Sequence, residues 1–444
     1  LTNLTLSTQS QIDNFAADYP GCATLPFDLT IREGSPGAIN NLNGLDQIQT
    51  ILGNLTIRNN TSLDELSGLQ NLQSVGGDLY VFFNASLPNF SGLTNLTSVN
   101  GYVSITTNAT LSSLVGLENL AVIGKQLALS NNASLTSLNG LSSLNFIGGH
   151  FSIFGNQLLD NTSALTELAT IGEYFHIFNN DALIDLTGLS NLNSIGSYLL
   201  IDGNQKLESL SGLSSLTTMG SYLSINNNAT IEELVGLNNL IAIGGFLKIS
   251  KNPMLTNLAA FSNLTSINGY LEIDENAALM HLHGLENIDP GSITNLEMTD
   301  NPKLLVCEVA SVCNYLESSN NENISENGCG CNTKVEINQH CEGNCLDGGI
   351  VLTTQAEIDN FIVDFPTCTR INGDVVIAES IAGNITNLNG LGQVGSIIGS
   401  LLVDDNTSLG SLDGLNQLML VAGNLTIQNN QVLGTLEGLN KIKQ

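Results

Sequence analysis

Basic side chains are nearly missing from this chain: 11 Lys and Arg stand against 41 Asp and Glu, for a formal net charge of −30. Neutralising a phosphate backbone takes clustered Lys and Arg, and an anionic membrane surface attracts the same groups. Neither nucleic acid nor a charged bilayer is therefore an expected partner. The acidic balance reads as a solubility device for a long protein, with cationic partners or Ca²⁺ as the sharper alternative. Long apolar runs are missing as well. None reaches the roughly 18 residues of a membrane span, so no membrane insertion is expected of this segment. No G-x-S-x-G, H-E-x-x-H or P-loop sequence occurs, which removes common signatures of enzymatic catalysis. No cofactor and no metal are expected. Cys329-Gly-Cys331 lacks the usual two-residue spacer of a zinc site, and Asp404-Asp405-Asn406 and Asp274-Glu275-Asn276 match no Ca²⁺ loop. The chain opens on Leu1 with no signal peptide before it and reads as a mature or trimmed segment.

What is present is a fixed period. Gly-Leu recurs every 24 residues at Gly44, Gly68, Gly92, Gly116, Gly140, Gly188, Gly212, Gly236 and Gly284. Ala164-Leu165 and Ala260-Phe261 fill the two intervening registers, and the period restarts at Gly390, Gly414 and Gly438. Such a period marks a solenoid, each repeat one coil stacked on the last. Numbered from that Gly, the coil reads G-L-x-N-L-x-x-I-G-G-x-L-x-I-x-x-N-x-x-L-x-x-L-x. Its apolar spacing switches between three and two, which a long helix cannot accommodate. Leu127 and Leu129 alternate with polar neighbours, the pattern of a strand with one buried face. Position 9 is Gly in seven coils and Asn at Asn100 and Asn268. Both residue types tolerate positive φ, so a tight turn is expected there.

Position 17 is Asn in ten successive coils: Asn60, Asn84, Asn108, Asn132, Asn156, Asn180, Asn204, Asn228, Asn252 and Asn276. Stacked amides can satisfy backbone groups at a corner and bond to one another, so the column is expected to be an asparagine ladder. The L-x-I-x-x-N-x-x-L core resembles the leucine-rich repeat. The longer G-L-x-N-L-x-x-I-G-G-x-L-x-I pattern more closely resembles the receptor L-domain, the β-solenoid of insulin- and EGF-receptor ectodomains. Similar repeats occur in fungal cell-wall proteins and in secreted surface proteins of Bacteroidetes. The resemblance covers nearly the whole chain. It implies an all-β fold, a right-handed parallel β-solenoid of 24-residue coils with short helical N-caps and a Cys-rich C-cap. Receptor L-domains have about half as many coils, so their hormone binding is not carried over.

Residues 1–43 read as an N-terminal cap, 44–301 as the eleven-coil solenoid and 302–345 as a Cys-rich C-cap and linker. Residues 346–444 read as a second, incomplete L-like domain with its own N-cap and three coils. Ser10 to Tyr19 suggests a short amphipathic helix that covers the open edge of the first coil. The segment recurs at an offset of 346: Ile12-Asp13-Asn14-Phe15 matches Ile358-Asp359-Asn360-Phe361, and Cys22 matches Cys368. Cys368 is expected to pair with Cys345, and the offset places the partner of Cys22 two residues before Leu1. Cys307, Cys313, Cys331 and Cys341 are expected to staple the first C-cap, with connectivity open and Cys329 left over. Cysteines clustered beside a long Cys-free stretch point to an oxidising compartment, hence to a secreted or cell-surface protein.

If positions 12 and 14 face inward, positions 11, 13 and 15 face outward. Position 11 carries Tyr102, Tyr174, Tyr198, Tyr222, Phe246 and Tyr270, the last five in consecutive coils. Neighbouring columns are read as adding His150, Phe154, His176 and Phe178. At about 4.8 Å per coil the consecutive rings span roughly 20 Å. One reading is cross-strand stacking that stabilises the sheet. The other is a platform whose flat rings suit a sugar or a protein hot spot, and receptor L-domains similarly use a sheet face for ligands. The expectation is a non-enzymatic extracellular adhesion or recognition module that binds a glycan or protein through this face. A structural repeat protein of a surface layer or filament, built from copies of itself, is the alternative. His281 and His283 flank Leu282 and are expected to face solvent. Asn-x-Ser/Thr sequences occur at Asn54, Asn84, Asn108, Asn132, Asn228, Asn263 and Asn424, several in ladder positions where a glycan would not fit.

Overall fold

A computed structural model describes residues 3–318, 321–341, 344–346, 348–366 and 368–442. They fall into two compact units, 1–332 and 333–444. The division lies inside the 302–345 stretch.

The coil of Gly116 shows how the sequence builds the stack. Leu117, Leu120, Ile123, Leu127, Leu129, Leu135 and Leu138 are at most 1% exposed. A single coil cannot enclose such a face, so neighbours above and below complete it. Val122–Ile123 forms a two-residue strand and Leu127–Ser130 a four-residue one. Each pairs in parallel with its counterparts one coil earlier and one coil later. In the first unit the short strands make an 11-stranded sheet and the long strands a 14-stranded one. The fold is an all-β parallel solenoid of leucine-rich-repeat-like coils.

The stack runs past 44–301 at both ends. Asn3–Leu6 and Asp28–Ile31 are its first two long strands, and Glu322–Ser325 is its last. The 24-residue period misses them because the connections lengthen: Leu29 pairs with Leu55, and Leu296 with Glu322. The N-terminal helix is two short pieces, Gln9–Asp13 and Phe15–Asp18, begun by a Thr8–Gln11 capping box. It lies against the Asn43–Leu45 turn, where a Cβ on Gly44 would strike the Ile12 carbonyl. It therefore covers the turn-bearing side of the first coil. The edge of the long sheet is formed instead by Asn3–Leu6, its terminal strand.

Position 9 also departs from expectation. Gly124, Gly148, Gly172, Gly196, Gly220 and Gly244 do not take positive φ. They are required for closeness: a Cβ on Gly172, Gly196 or Gly220 would overlap the carbonyl oxygen of the glycine one coil earlier. The left-handed residue is at position 16, at Asn59, Phe83, Thr107, Asn131, Asn179, Asn227, Lys251 and Glu275, with Gly155 and Gly203 in the same register. That conformation costs a residue with a Cβ roughly 1–2 kcal/mol, so bonding at the adjacent position 17 has to hold it.

The position-17 asparagines do so. All ten are fully buried. Asn180 Oδ1 accepts from Asn156 N–H at 3.1 Å and from Asn156 Nδ2 at 3.4 Å. Asn180 Nδ2 donates to the carbonyls of Ile153 at 2.9 Å and Phe178 at 3.1 Å. The column continues through Asn301 and Asn327, spaced 25 and 26 residues on. It begins at Glu33, whose N–H donates to Asn60 Oδ1 and whose carboxylate accepts from Gly37 and Thr61. In the second unit Glu379, Asn406 and Asn430 repeat the arrangement. The Asn-x-Ser/Thr sequences at Asn84, Asn108, Asn132 and Asn228 thus place a buried amide where a glycan would attach.

Glu379 gives this device a pH signature. Burial pushes its carboxyl up, but hydrogen bonds from Thr407, Ile385 and Gly383 outweigh that and bring it down to about 2. A carboxylate with a depressed folded pKa stabilises the fold above its unfolded value, and the contribution is lost as pH falls through the folded one. The stability difference between wild type and Glu379→Gln should be constant at neutral pH and shrink as pH falls from about 4.5 to about 2. Thermal unfolding of the second unit at stepped pH measures it, and a difference that does not change with pH would count against the assignment.

Candidate functional site

Position 11 immediately precedes the long strand, so in-register parallel pairing sets each such side chain over the one a coil away. In six consecutive coils that side chain is a ring: His150, Tyr174, Tyr198, Tyr222, Phe246 and Tyr270. His150, counted from Gly140, belongs to this column itself and not to a neighbouring one. Successive centroids are 4.2, 4.8, 4.1, 4.2 and 4.2 Å apart, with interplanar angles of 7–14°. At position 15, Phe154 and Phe178 stack at 4.1 Å. His176, at position 13, fills the space between the two columns, 4.4 Å from Tyr174, 5.1 Å from Tyr198 and 6.2 Å from Phe178. All of these side chains are half-buried.

The stacking decides what solvent sees. Carbon atoms in contact stay about 3.5 Å apart, so parallel rings at these spacings lie largely face to face along the column. Their faces are taken up by one another, leaving edges and phenol oxygens outward. Inside the column there is no flat platform of the kind that ring composition suggested; the surface is a ridge. Burial raises the Tyr174, Tyr222 and Tyr270 phenols, with neighbouring phenols and carboxylates adding to it. Their hydroxyls therefore stay protonated at neutral pH, and that of Tyr222 is hydrogen-bonded with Tyr198.

The ridge has polar ends. Tyr102 stands apart from the stack, with the Lys125 ammonium 4.8 Å over its ring. Before it, the position-11 side chains bond along the stack: Asn54 Oδ1 accepts from Asp78 N–H at 2.7 Å and Asp78 Oδ1 from Tyr102 N–H at 2.8 Å. Near the other end Lys248 and Glu272 form an ion pair of 2.5 Å, and Thr299 donates to Asp274 at 2.6 Å. Burial lowers the His176 pKa, with His150 adding to the effect, so His176 is neutral at neutral pH. Its Nε2 is buried without a hydrogen-bond partner. Among the described residues no Ser, Thr or Cys nucleophile bonds to His150 or His176; His150 Nδ1 faces Glu173 at 3.6 Å.

The remaining candidates lie elsewhere. His281 is only 7% exposed, contrary to the solvent-facing position expected from its neighbours. The reason is that His281 and Leu282 bridge to Val306, which lays the cap segment over them. His283 is half-exposed and paired with Glu286. Cys307 and Cys331 are disulfide-bonded with Cα atoms 5.8 Å apart, and Cys345 and Cys368 with Cα atoms 5.4 Å apart. Cys313 and Cys341 are also disulfide-bonded. Cys22 and Cys329 are free. Cys307, Glu308 and Cys331 are close enough to surround an ion, but the disulfide leaves no thiolate there to ligate one.

No family model matches the chain, and no curated protein matches it. Among solved structures it is similar to the TLR13–ssRNA13 complex, at 15% identity and a TM-score of 0.27, over 93% of this chain and 79% of that one. No helix among the described residues is long and apolar enough to cross a membrane.

Proposed function

We propose that this chain is a non-enzymatic, extracellular recognition module of the receptor L-domain kind, whose ligand, a glycan or a protein, lies along the aromatic ridge. The supporting observation is the six-ring column, half-exposed in a single register. Aromatic stacking that serves only the fold can be placed inside, as Phe151 and Phe175 are. A continuous aromatic ridge left at the surface is the kind of patch that a partner covers. Edges and hydroxyls in line suit an extended ligand with acceptors along its length. The disulfides suit an oxidising compartment, and the net charge of −30 disfavours nucleic acid.

The triple variant Tyr174→Ala, Tyr198→Ala, Tyr222→Ala tests this reading. Buried aromatic anchors each contribute upwards of about 2 kcal/mol to an interface, so affinity should fall at least 100-fold. The ligand is taken from a glycan array and a panel of extracellular proteins, and circular dichroism checks the fold. Unchanged affinity in the folded variant rejects the ridge. A surface-layer or filament role is favoured by one observation, the restart of the Glu–Asn ladder at Glu379 in the second unit. Wild-type filaments in the electron microscope would support that role.

A further inference from the structure

The position-11 column is interrupted once. Gln126 stands between Tyr102 and His150, and an open cavity of about 390 Å³ occupies the interruption. Two coil spacings separate the flanking positions, about 9.6 Å. A ring in contact on both faces needs roughly 7 Å. His150 uses one face to stack on Tyr174, and its other face has no ring partner. Gly149 leaves part of the lining without a side chain. Lys125, Gln126 and Glu173 line the rest. The Gln126 amide makes no hydrogen bond among the described residues, so it is available to a ligand.

We propose that this notch binds one unit of a neutral saccharide, with its C–H face on the side of His150 turned away from Tyr174 and its hydroxyls on Lys125, Gln126 and Glu173. The volume is at the lower end of small-molecule sites and has room for a single sugar unit. A planar aromatic ligand would want apolar walls on both sides, and here most of the lining is polar. An anion would meet Glu173 and a cation Lys125, whereas a polyol can use a cation, a carboxylate and an amide together. A pyranose has the matching form, one apolar face and a polar rim. The inference rests on the recognition reading and deepens it: the ligand is a glycan, anchored where the ridge is broken.

Gln126→Tyr tests it by completing the column. The new ring should stack in register between Tyr102 and His150, keep the melting temperature at or above wild type, and reduce affinity for neutral oligosaccharides at least tenfold. The probes are gluco-, galacto- and manno-oligosaccharides, read by titration calorimetry and saturation-transfer NMR. Should Gln126→Tyr not fold, the double variant Lys125→Ala, Glu173→Gln removes hydroxyl partners and should show the same loss. The proposal is overturned if none of these sugars binds the wild type, or if a folded variant binds as tightly. Loss of ligand in the triple tyrosine variant with full retention in Gln126→Tyr would leave the ridge standing and reject the notch.

Discussion

Replacing Asn180 by Leu should destabilise the first unit by about 4 kcal/mol. Leucine keeps the branched shape but is bulkier, so no cavity term enters and a packing cost adds to the loss of the amide bonds. Asn156 N–H and Nδ2 lose their shared acceptor, and the Ile153 and Phe178 carbonyls lose a donor. Water cannot replace these bonds at a fully buried position. Each buried group left without a partner costs roughly 1–3 kcal/mol. Urea unfolding measures the loss, with the second unit's transition as an internal reference. Amide hydrogen exchange should accelerate at Asn156 and in the adjoining coils first. A destabilisation below about 1 kcal/mol would mean that the backbone ladders alone hold the corner.

Removing the Cys345–Cys368 bond should lower the stability of the second unit by about 3 kcal/mol. The bond closes a loop with a sequence separation of 23, and cross-links of this span stabilise by about that amount, chiefly by restricting the unfolded chain. The double variant Cys345→Ser, Cys368→Ser avoids leaving a lone thiol. Cys22 supplies the control. It occupies the equivalent place 346 residues earlier and is free and half-exposed, so Cys22→Ser should change stability by less than about 0.5 kcal/mol. Calorimetry resolves the two, and equal effects would remove loop closure as the explanation.

The coil architecture was readable in the sequence because a solenoid repeats its environment. Every Leu120 or Leu129 has an equivalent 24 residues away, so burial pattern and period coincide. What escaped was whatever breaks the spacing. Asn301 and Asn327 continue the ladder at spacings of 25 and 26, and Glu33 starts it with a different residue. The offset of 346 that matched Cys22 to Cys368 also matches Glu33 to Glu379, and it was the signal that could have found this pair. Position 16 was invisible for another reason. Phe83, Thr107 and Lys251 have no preference for positive φ, and tertiary bonding imposes it on them. The aromatic register was visible as residue identity, but ring orientation depends on side-chain torsions that no spacing encodes. Sequence could collect the rings into a column and could not say that their faces would be turned toward one another.

The ladder also has a direction. Each asparagine passes its N–H and amide hydrogens to the oxygen of the next coil and receives the same from the one before. A coil inserted or excised whole would leave both neighbours with the bonding they already have, so chain length can change here by duplication or deletion without redesign of the fold. The extent of the outer surface is then quantised in steps of one strand spacing, about 4.8 Å. Gaining or losing 24 residues lengthens or shortens every outward column by one side chain, and the ridge by one ring where the coil carries an aromatic at position 11, so the length of this surface is a property that selection can tune by integers.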